Sequence, residues 1–137
     1  MCCGNWRSNI VNVVWILKEA VLAIHGRQIA EHGGREGLRD EGLLLSELAR
    51  PENSLAYGED VDITALGASY AYGIAKNHPF IDGNKRTALV VMRTFLASND
   101  IEFVASREEK YRAFLELAEG KLSEEELATW IRKHIAD

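Results

Sequence analysis

The residues best suited to chemistry lie in one run, positions 78–86, which reads HPFIDGNKR. The stretch that follows carries apolar residues at helical spacing, so the run leads into the first turn of a helix. A helix N-terminus offers backbone N–H groups without helical acceptors and the positive end of the helix dipole, which together attract anions. Gly83 lets the backbone approach an anion closely because it has no Cβ. The run therefore predicts an anion site.

Two cations, Lys85 and Arg86, fall in the first turn of that helix. Their charge opposes the helix dipole there, at a cost of about 0.3–1 kcal/mol each. A bound phosphate reverses that cost, since arginine grips phosphate through paired hydrogen bonds and lysine adds a point charge. Asn84 carries an amide that serves either a phosphate oxygen or the helix cap. We therefore predict a phosphate or nucleotide site formed by Gly83, Asn84, Lys85 and Arg86.

Asp82 and His78 supply the remaining chemistry of the run. A single carboxylate beside phosphates is a usual way to hold Mg²⁺, since the ion takes most of its ligands from water and phosphate oxygens. A histidine accepts a proton from a hydroxyl nucleophile near neutral pH. We predict Asp82 as the Mg²⁺ ligand and His78 as the catalytic base.

Each of these residues also has an ordinary structural interpretation. A histidine before Pro79 commonly ends a helix, Asp-Gly commonly forms a turn, and Lys-Arg commonly lies on a solvated helix face. Their combination at the start of an apolar helix favours the phosphate site. By contrast, His25 shares a helix face with Val21, which predicts a hydrogen-bonded core residue rather than a base. We expect His32 and His134 at the surface.

The segments around the run predict an all-α, mostly helical fold. Helical spacing or capping residues indicate helices at 18–31, from an Asp40 cap to just before Pro51, from an Asp62 cap onwards, from Asn84 onwards, at 107–118, and at 124–135 with a Ser123–Glu126 capping box. The helix after Asn84 is apolar on nearly all sides, which predicts the buried central helix. The turn-rich segment 51–61 predicts a short flap or β-hairpin, and weak strand signals lie at 11–16 and 101–104.

Composition limits the remaining possibilities. The 137 residues, 47% of them hydrophobic, suffice for one domain, and we predict a poorly anchored extension at 1–14 before a single domain at 15–137. A net charge of −5 argues against direct, sequence-independent binding to nucleic acid. Cys2 and Cys3 are adjacent, which predicts neither a disulfide nor a zinc site. No segment has the roughly 20 apolar residues that span a bilayer, so we expect a cytoplasmic protein without a membrane partner.

The run at 78–86 resembles the signature of Fic-domain proteins, His-x-Phe-x-Asp/Glu-Gly-Asn-x-Arg. The resemblance covers roughly residues 15–105 and includes Ile24-His25, Gly33-Gly34, the GLRD sequence at 37–40 and Leu44-Leu45-Ser46. Two positions, Lys85 and Leu89, depart from the members that transfer AMP, which usually have a glycine and a second arginine there. This departure resembles the Doc branch, the bacterial death-on-curing toxins of toxin–antitoxin pairs.

The resemblance implies a Fic/Doc-type helical bundle and a kinase activity. Doc toxins use Mg²⁺ and ATP, bound in a reversed orientation, to phosphorylate a threonine of elongation factor Tu, which halts translation. By this resemblance His78 is the base on the target hydroxyl, Asp82 holds Mg²⁺, and 83–86 cradle the phosphates of ATP. The inhibitory motif of many Fic proteins is missing, because Phe103 stands where glycine or asparagine is needed after Glu102. The resemblance therefore implies inhibition in trans by a small, Phd-like antitoxin.

Two alternatives stay open at this point. One is a Fic-type transferase that moves AMP, rather than phosphate, to a protein hydroxyl. The other is a catalytically idle module that acts only by binding an antitoxin.

Overall fold

Six helices form the part of the chain that the computed structural model describes, residues 12–58 and 61–136. They are α1 (Lys18–His32), α2 (Glu41–Tyr57), α3 (Ile63–Asn77), α4 (Asn84–Ser98), α5 (Arg107–Ala118) and α6 (Glu124–Arg132). Over these residues no strand forms, and strand-like pairing is limited to two antiparallel bridges, Leu38 with Phe80 and Phe103 with Ile135. None of these helices is long and apolar enough to cross a membrane. The expected all-α fold is confirmed.

Helix α3 lies at the centre of the fold, in contact with α2, α4, α5 and α6. Most of its residues are buried, and many of them are small. Small side chains let neighbouring helices approach closely: a Cβ on Gly67 would lie only 3.2 Å from Leu96 of α4. The prediction that α4 is the central helix is wrong, because α4 buries one face and exposes Arg93 and Ala97. Apolar content alone does not distinguish a central helix from one that lines a groove.

The predicted helix caps are confirmed. Asp40 and Asp62 each accept a hydrogen bond from the backbone N–H three residues later, at 3.0 and 2.8 Å. Asp62 also pairs with Arg132 at 3.1 Å, which ties the start of α3 to the end of α6. Ser123 and Glu126 form the predicted capping box of α6, although that helix ends at Arg132 rather than at position 135.

The predicted helix break at Pro51 is wrong. Helix α2 continues through Pro51 to Tyr57, so the flap or hairpin predicted at 51–61 is wrong as well, and residues 59–60 lie outside the described part. Pro51 has no N–H and leaves the carbonyl of Glu47 without its helical donor. The proline ring is buried, however, and this burial offsets the lost hydrogen bond.

Neither predicted strand forms in the described residues. Val14, in the first of them, is instead tied to the side chain of Asn99 by two hydrogen bonds of 2.9 and 3.0 Å. Phe103, in the second, forms only its single bridge. Residues 1–11 lie outside the described part, and the division of the chain at residue 14 stays a prediction.

Tyr70 of α3 gives this core a measurable dependence on pH. Its side chain is buried against Phe95, and burial raises its pKa from 10.0 to about 12. The folded state therefore holds the phenol proton after the unfolded state has released it, so stability present below about pH 10 is lost as the pH rises towards 12. The free energy of unfolding should therefore fall between about pH 10 and pH 12. We expect Tyr70→Phe to reduce this fall by about 1–2 kcal/mol, a figure that allows for partial hydration of the phenol.

The measurement is urea unfolding of the parent and of Tyr70→Phe from neutral pH to about pH 12. The difference between their free energies of unfolding should shift steadily in favour of the variant above about pH 10. If the free energies of unfolding of the two proteins change with pH in parallel, the raised pKa of Tyr70 is contradicted.

Candidate active site

The site begins where α3 ends. His78 follows the last helical residue, Asn77, and adopts a left-handed conformation with φ 53° and ψ 60°. This conformation costs a non-glycine residue roughly 1–2 kcal/mol, so surrounding contacts must hold it. Arg39 provides two of them: its Nε donates to the carbonyl of His78 and its Nη2 to that of Asn77, both at 2.7 Å. One guanidinium thereby fixes the backbone on which the predicted base stands.

The loop after His78 pairs with the segment that precedes α2. The carbonyl of Pro79 accepts from the backbone N–H groups of Arg39 and Asp40, at 2.7 and 3.1 Å. The carbonyl of Gly37 accepts from the N–H of Ile81 at 3.0 Å. The segment that borders the loop is therefore 37–40.

Two side chains, Asn84 and His25, bind the loop on the side that faces the protein interior. Asn84, which is buried, accepts from the N–H of Phe80 and donates to its carbonyl, both at 2.9 Å. His25 stacks on the Phe80 ring at 3.8 Å and hydrogen-bonds through Nε2 to the carbonyl of Asp82 at 2.8 Å. Because a carbonyl only accepts, Nε2 of His25 carries a proton. The prediction of a hydrogen-bonded core histidine is confirmed, whereas contact of Asn84 with phosphate stays a prediction.

The loop and the first turn of α4 line a cavity of about 270 Å³ that is open to solvent. Its lining consists of Ile81 and the six residues predicted from the sequence, His78, Asp82, Gly83, Asn84, Lys85 and Arg86. The first intrahelical hydrogen bond of α4 runs from the N–H of Thr87 to the carbonyl of Gly83, at 3.0 Å. The N–H groups of Asn84, Lys85 and Arg86 come before it in the helix and belong to residues that line the cavity. An anion site at a helix N-terminus requires N–H groups in this position.

Asp82 presents an ionised carboxylate to this cavity. The backbone N–H groups of Arg35 and Gly83 donate to its two oxygens at 3.2 and 2.8 Å. These hydrogen bonds, Arg35 first, lower the pKa of Asp82, and the positive charges of Arg86 and Arg35 add to the effect against the opposing influence of desolvation. Each oxygen keeps a free lone pair for a cation.

A metal ion at Asp82 would take its other ligands from water and substrate. Among the residues that the structure describes, no cluster of three or more His, Cys, Asp and Glu side chains is arranged to hold a metal. One exposed carboxylate with open lone pairs fits Mg²⁺, which keeps several waters and shares phosphate oxygens.

Arg86 is held in place yet incompletely bonded. Its Nη2 donates to the carbonyl of Gly33 at 3.2 Å. Its Nε is buried and finds no acceptor among the described residues. A buried donor without an acceptor costs about 1–3 kcal/mol, and a shift of the side chain that brings Nε to an anionic oxygen in the cavity would recover this cost. Arg86 is therefore suited to an anion.

A groove of about 470 Å³ adjoins the cavity and shares Lys85 and Arg86 with it. The Nζ of Lys85 lies 5.5 Å from the centre of the Tyr111 ring, at the boundary of the two spaces. The rest of the lining is aliphatic, aromatic, polar and basic: Gln28, His32, Leu89, Val90, Arg107, Lys110, Tyr111 and Phe114. Sequence reasoning did not bring α5 to the site.

The contributions of Arg35 and Arg39 were also missed. Arg39 lies 39 positions from His78, and its partners are backbone carbonyls, which leave no trace in residue types. The available signal was the GLRD sequence at 37–40, in which Arg39 directly precedes the Asp40 cap and so stands beside a helix start.

Gly34 leaves the space that the Asp82 carboxylate occupies. Its φ is +123°, and a Cβ there would lie 2.8 Å from Oδ2 of Asp82. We expect Gly34→Ala to lower the free energy of unfolding by about 1–3 kcal/mol, because alanine is strained in this conformation and displaces the carboxylate.

Gly26, in the middle of α1, is the matched control. A Cβ at that position meets nothing within 4 Å, so Gly26→Ala should raise the free energy of unfolding by about 0.5–1 kcal/mol. Urea unfolding of both variants measures the contrast. If both alanine variants change the free energy of unfolding equally, the close approach of Gly34 to the Asp82 carboxylate has no energetic consequence.

Comparison with known proteins agrees with this geometry. Residues 15–96, which include the whole cavity lining, match the model of the Fic/DOC family. The chain is 34% identical over 93 residues to Protein kinase doc of Escherichia phage P1, which covers 68% of this chain and 74% of that protein. It is 39% identical over 75 residues to Toxin Doc of Mycolicibacterium smegmatis, which covers 53% of this chain and 57% of that protein. The resemblance seen in the run at 78–86 is thereby confirmed, and the chain belongs to the Fic/DOC family.

Proposed function

We propose that this chain is the toxin of a toxin–antitoxin pair and acts as a protein kinase. It transfers the γ-phosphoryl group of Mg²⁺-bound ATP to a hydroxyl side chain of a translation factor like elongation factor Tu, and so halts translation in the cytoplasm. The observation that carries the proposal is the 270 Å³ cavity, in which a histidine, a carboxylate and two cations meet at a helix N-terminus. Phosphoryl transfer depends mainly on positioning and charge stabilisation, and this cavity offers both.

His78 acts as the base on the attacking hydroxyl. Its side chain is exposed at the cavity, where a target hydroxyl can reach it. The two hydrogen bonds from Arg39 hold the backbone of His78, so the imidazole starts from a fixed position. A base that is already positioned avoids the entropy loss of finding the hydroxyl in each turnover.

Asp82 and the two cations bind the phosphates. The ionised carboxylate of Asp82 would hold Mg²⁺, which when bound neutralises charge on the phosphate oxygens. Arg86 offers its guanidinium to a phosphate oxygen, and its buried Nε, which has no acceptor among the described residues, gains one when the side chain shifts towards the cavity. Lys85 and the N–H groups of the first turn of α4 complete a cradle that favours the negative charge of the transition state.

The adjoining groove supports phosphate transfer over AMP transfer. It opens beyond Lys85 and Arg86, and Leu89 contributes an apolar wall where many AMP-transferring relatives have an arginine. The apolar surface at Leu89 suits a nucleoside base better than a charged phosphate, and this preference belongs to that part of the groove alone, since Arg107 and Lys110 add cations elsewhere in its lining. With the nucleoside in the groove, the γ-phosphate lies in the cavity beside His78. The name of the phage relative, a protein kinase, agrees with this orientation.

Labelled ATP distinguishes the two transfers. We expect label from the γ position, and none from the α position, on purified elongation factor Tu or on a lysate protein when the chain is added with Mg²⁺. Intact mass should show added phosphate, because His78 faces the terminal phosphoryl group. Label from the α position would overturn the kinase proposal in favour of the AMP transferase.

Arg86 has a matched control on the same helix. We expect Arg86→Gln to lower kcat/KM by roughly a hundredfold, because it removes a charge-assisted contact to phosphate. Arg93→Gln, at an exposed position of α4, should leave kcat/KM close to the parent value. Equal losses from both variants would argue against a phosphate role for Arg86.

The partner of the toxin is a small, Phd-like antitoxin that obstructs the site through a segment folding on binding. Growth arrest tests this partnership and the idle-module alternative together. We expect the chain to arrest bacterial growth, co-expression of the antitoxin encoded beside it to restore growth, and His78→Ala to abolish arrest while still binding that antitoxin. Arrest by a folded His78→Ala protein would favour the idle binding module.

A further inference from the structure

Glu47 is a buried carboxylate that lies outside the cavity. It sits on α2, is 5% exposed, and is not among the residues that line either the cavity or the groove. Its Oε2 accepts a hydrogen bond from the side-chain amide of Asn77, the last residue of α3. Its Oε1 receives no hydrogen bond from the described residues, and the Nη1 of Arg50 approaches it only to 3.6 Å.

The fold makes room for this carboxylate at some cost. A Cβ on Gly73 of α3 would overlap Oε1 of Glu47, so the carboxylate fits only because that position is a glycine. A buried carboxylate with one hydrogen bond and one cation at 3.6 Å is costly to desolvate, and a well-packed apolar side chain is often at least as stable. Stability of the core is therefore a poor explanation for Glu47.

Glu47 bonds to Asn77, the residue directly before the predicted base His78. The side chain of Asn77 is bonded to Glu47, while its carbonyl is bonded to Arg39. The end of α3 is thus fixed from α2 and from the segment before α2 at once. Rotation of this last turn would carry His78 with it, because the two residues are adjacent and His78 must keep its left-handed φ of 53°.

We propose that Glu47 is a positioning residue for His78, acting through the amide of Asn77 on the backbone of the last turn of α3. The inference rests on the proposed function, in which His78 is the base. Arg50 supports the arrangement, since it also bonds to Glu124 at 2.6 Å and to the carbonyl of Ser69 at 3.3 Å. Its cation therefore stays beside the carboxylate without drawing it away from Asn77.

Three substitutions test the inference. Glu47→Ala removes the acceptor, whereas Glu47→Gln keeps an oxygen that accepts from Asn77. Glu52→Ala, at an exposed position of α2, is the control. For Glu47→Ala we expect kcat to fall about ten- to a hundredfold with KM for ATP changed less than about twofold, because the base is misplaced while nucleotide binding is kept. For Glu47→Gln we expect a kcat within about threefold of the parent value. For Glu52→Ala we expect the parent value of kcat.

A second measurement does not depend on activity. The dipolar coupling between the amide and Cα protons of His78, measured as their nuclear Overhauser effect, reports its φ, because a positive φ brings these two protons closer together. In Glu47→Ala it should move towards a conformational average, while Glu47→Gln and Glu52→Ala keep the parent value. If Glu47→Ala fails to fold, Asn77→Ala removes the same hydrogen bond from an exposed position without emptying buried space, and the same two changes are expected.

The outcomes separate this inference from the proposed function. Parent values of kcat and of the coupling in both Glu47→Ala and Asn77→Ala would overturn the positioning role. A lower melting temperature with both quantities unchanged would do the same and leave a purely structural carboxylate. If the parent transfers neither phosphate nor AMP, the proposed function fails, and the His78 coupling alone decides whether Glu47 fixes the end of α3.

Discussion

The loop between α3 and α4 is held by its carbonyl groups, and the arrangement of the site depends on this constraint. The carbonyls of Asn77 and His78 bond to Arg39, that of Pro79 to the backbone before α2, that of Phe80 to Asn84, and that of Asp82 to His25. A loop secured in this way needs no regular secondary structure of its own. Its acceptors are turned towards the protein, which leaves the charged side chains and the N–H groups of the first turn of α4 for the cavity.

This constraint also explains why like charges can gather at a helix start. Lys85 and Arg86 oppose the dipole of α4, and Arg86 keeps a buried Nε without an acceptor in the described part of the chain. Both side chains are half-buried, and the hydrogen bonds of the loop fix the start of α4 that carries them. The two cations therefore stay at the cavity, where a bound anion would offset the unfavourable charge. Asp82, kept ionised by the N–H groups of Arg35 and Gly83, supplies the opposite charge at the same place.

Local signals predicted the parts of this structure that depend on neighbouring residues. The caps at Asp40 and Asp62 and the run at 78–86 depend on contacts within a few positions, and each was found where the sequence indicated. Features decided by distant contacts were missed. Burial of the ring lets Pro51 remain inside α2, and the segment beside the loop is 37–40 because Arg39 meets carbonyls 39 positions away. Glu47 is by residue type one more charge on a helix, and only the folded chain brings it to Asn77.

Position 89 lies one helical turn after Lys85, and residues four apart share a helix face. An arginine there would extend the cationic surface of the cavity into the groove. Leu89 instead leaves the α4 side of the groove apolar beyond Lys85 and Arg86, and the further cations of the groove, Arg107 and Lys110, come from α5. On the proposed function, the residues that do the chemistry are thus separate from the residue that decides which phosphate meets His78. On the same proposal, a change of transferred group needs no new base and no new metal ligand, since an arginine at position 89 would add one cation on α4 and favour phosphates in the groove.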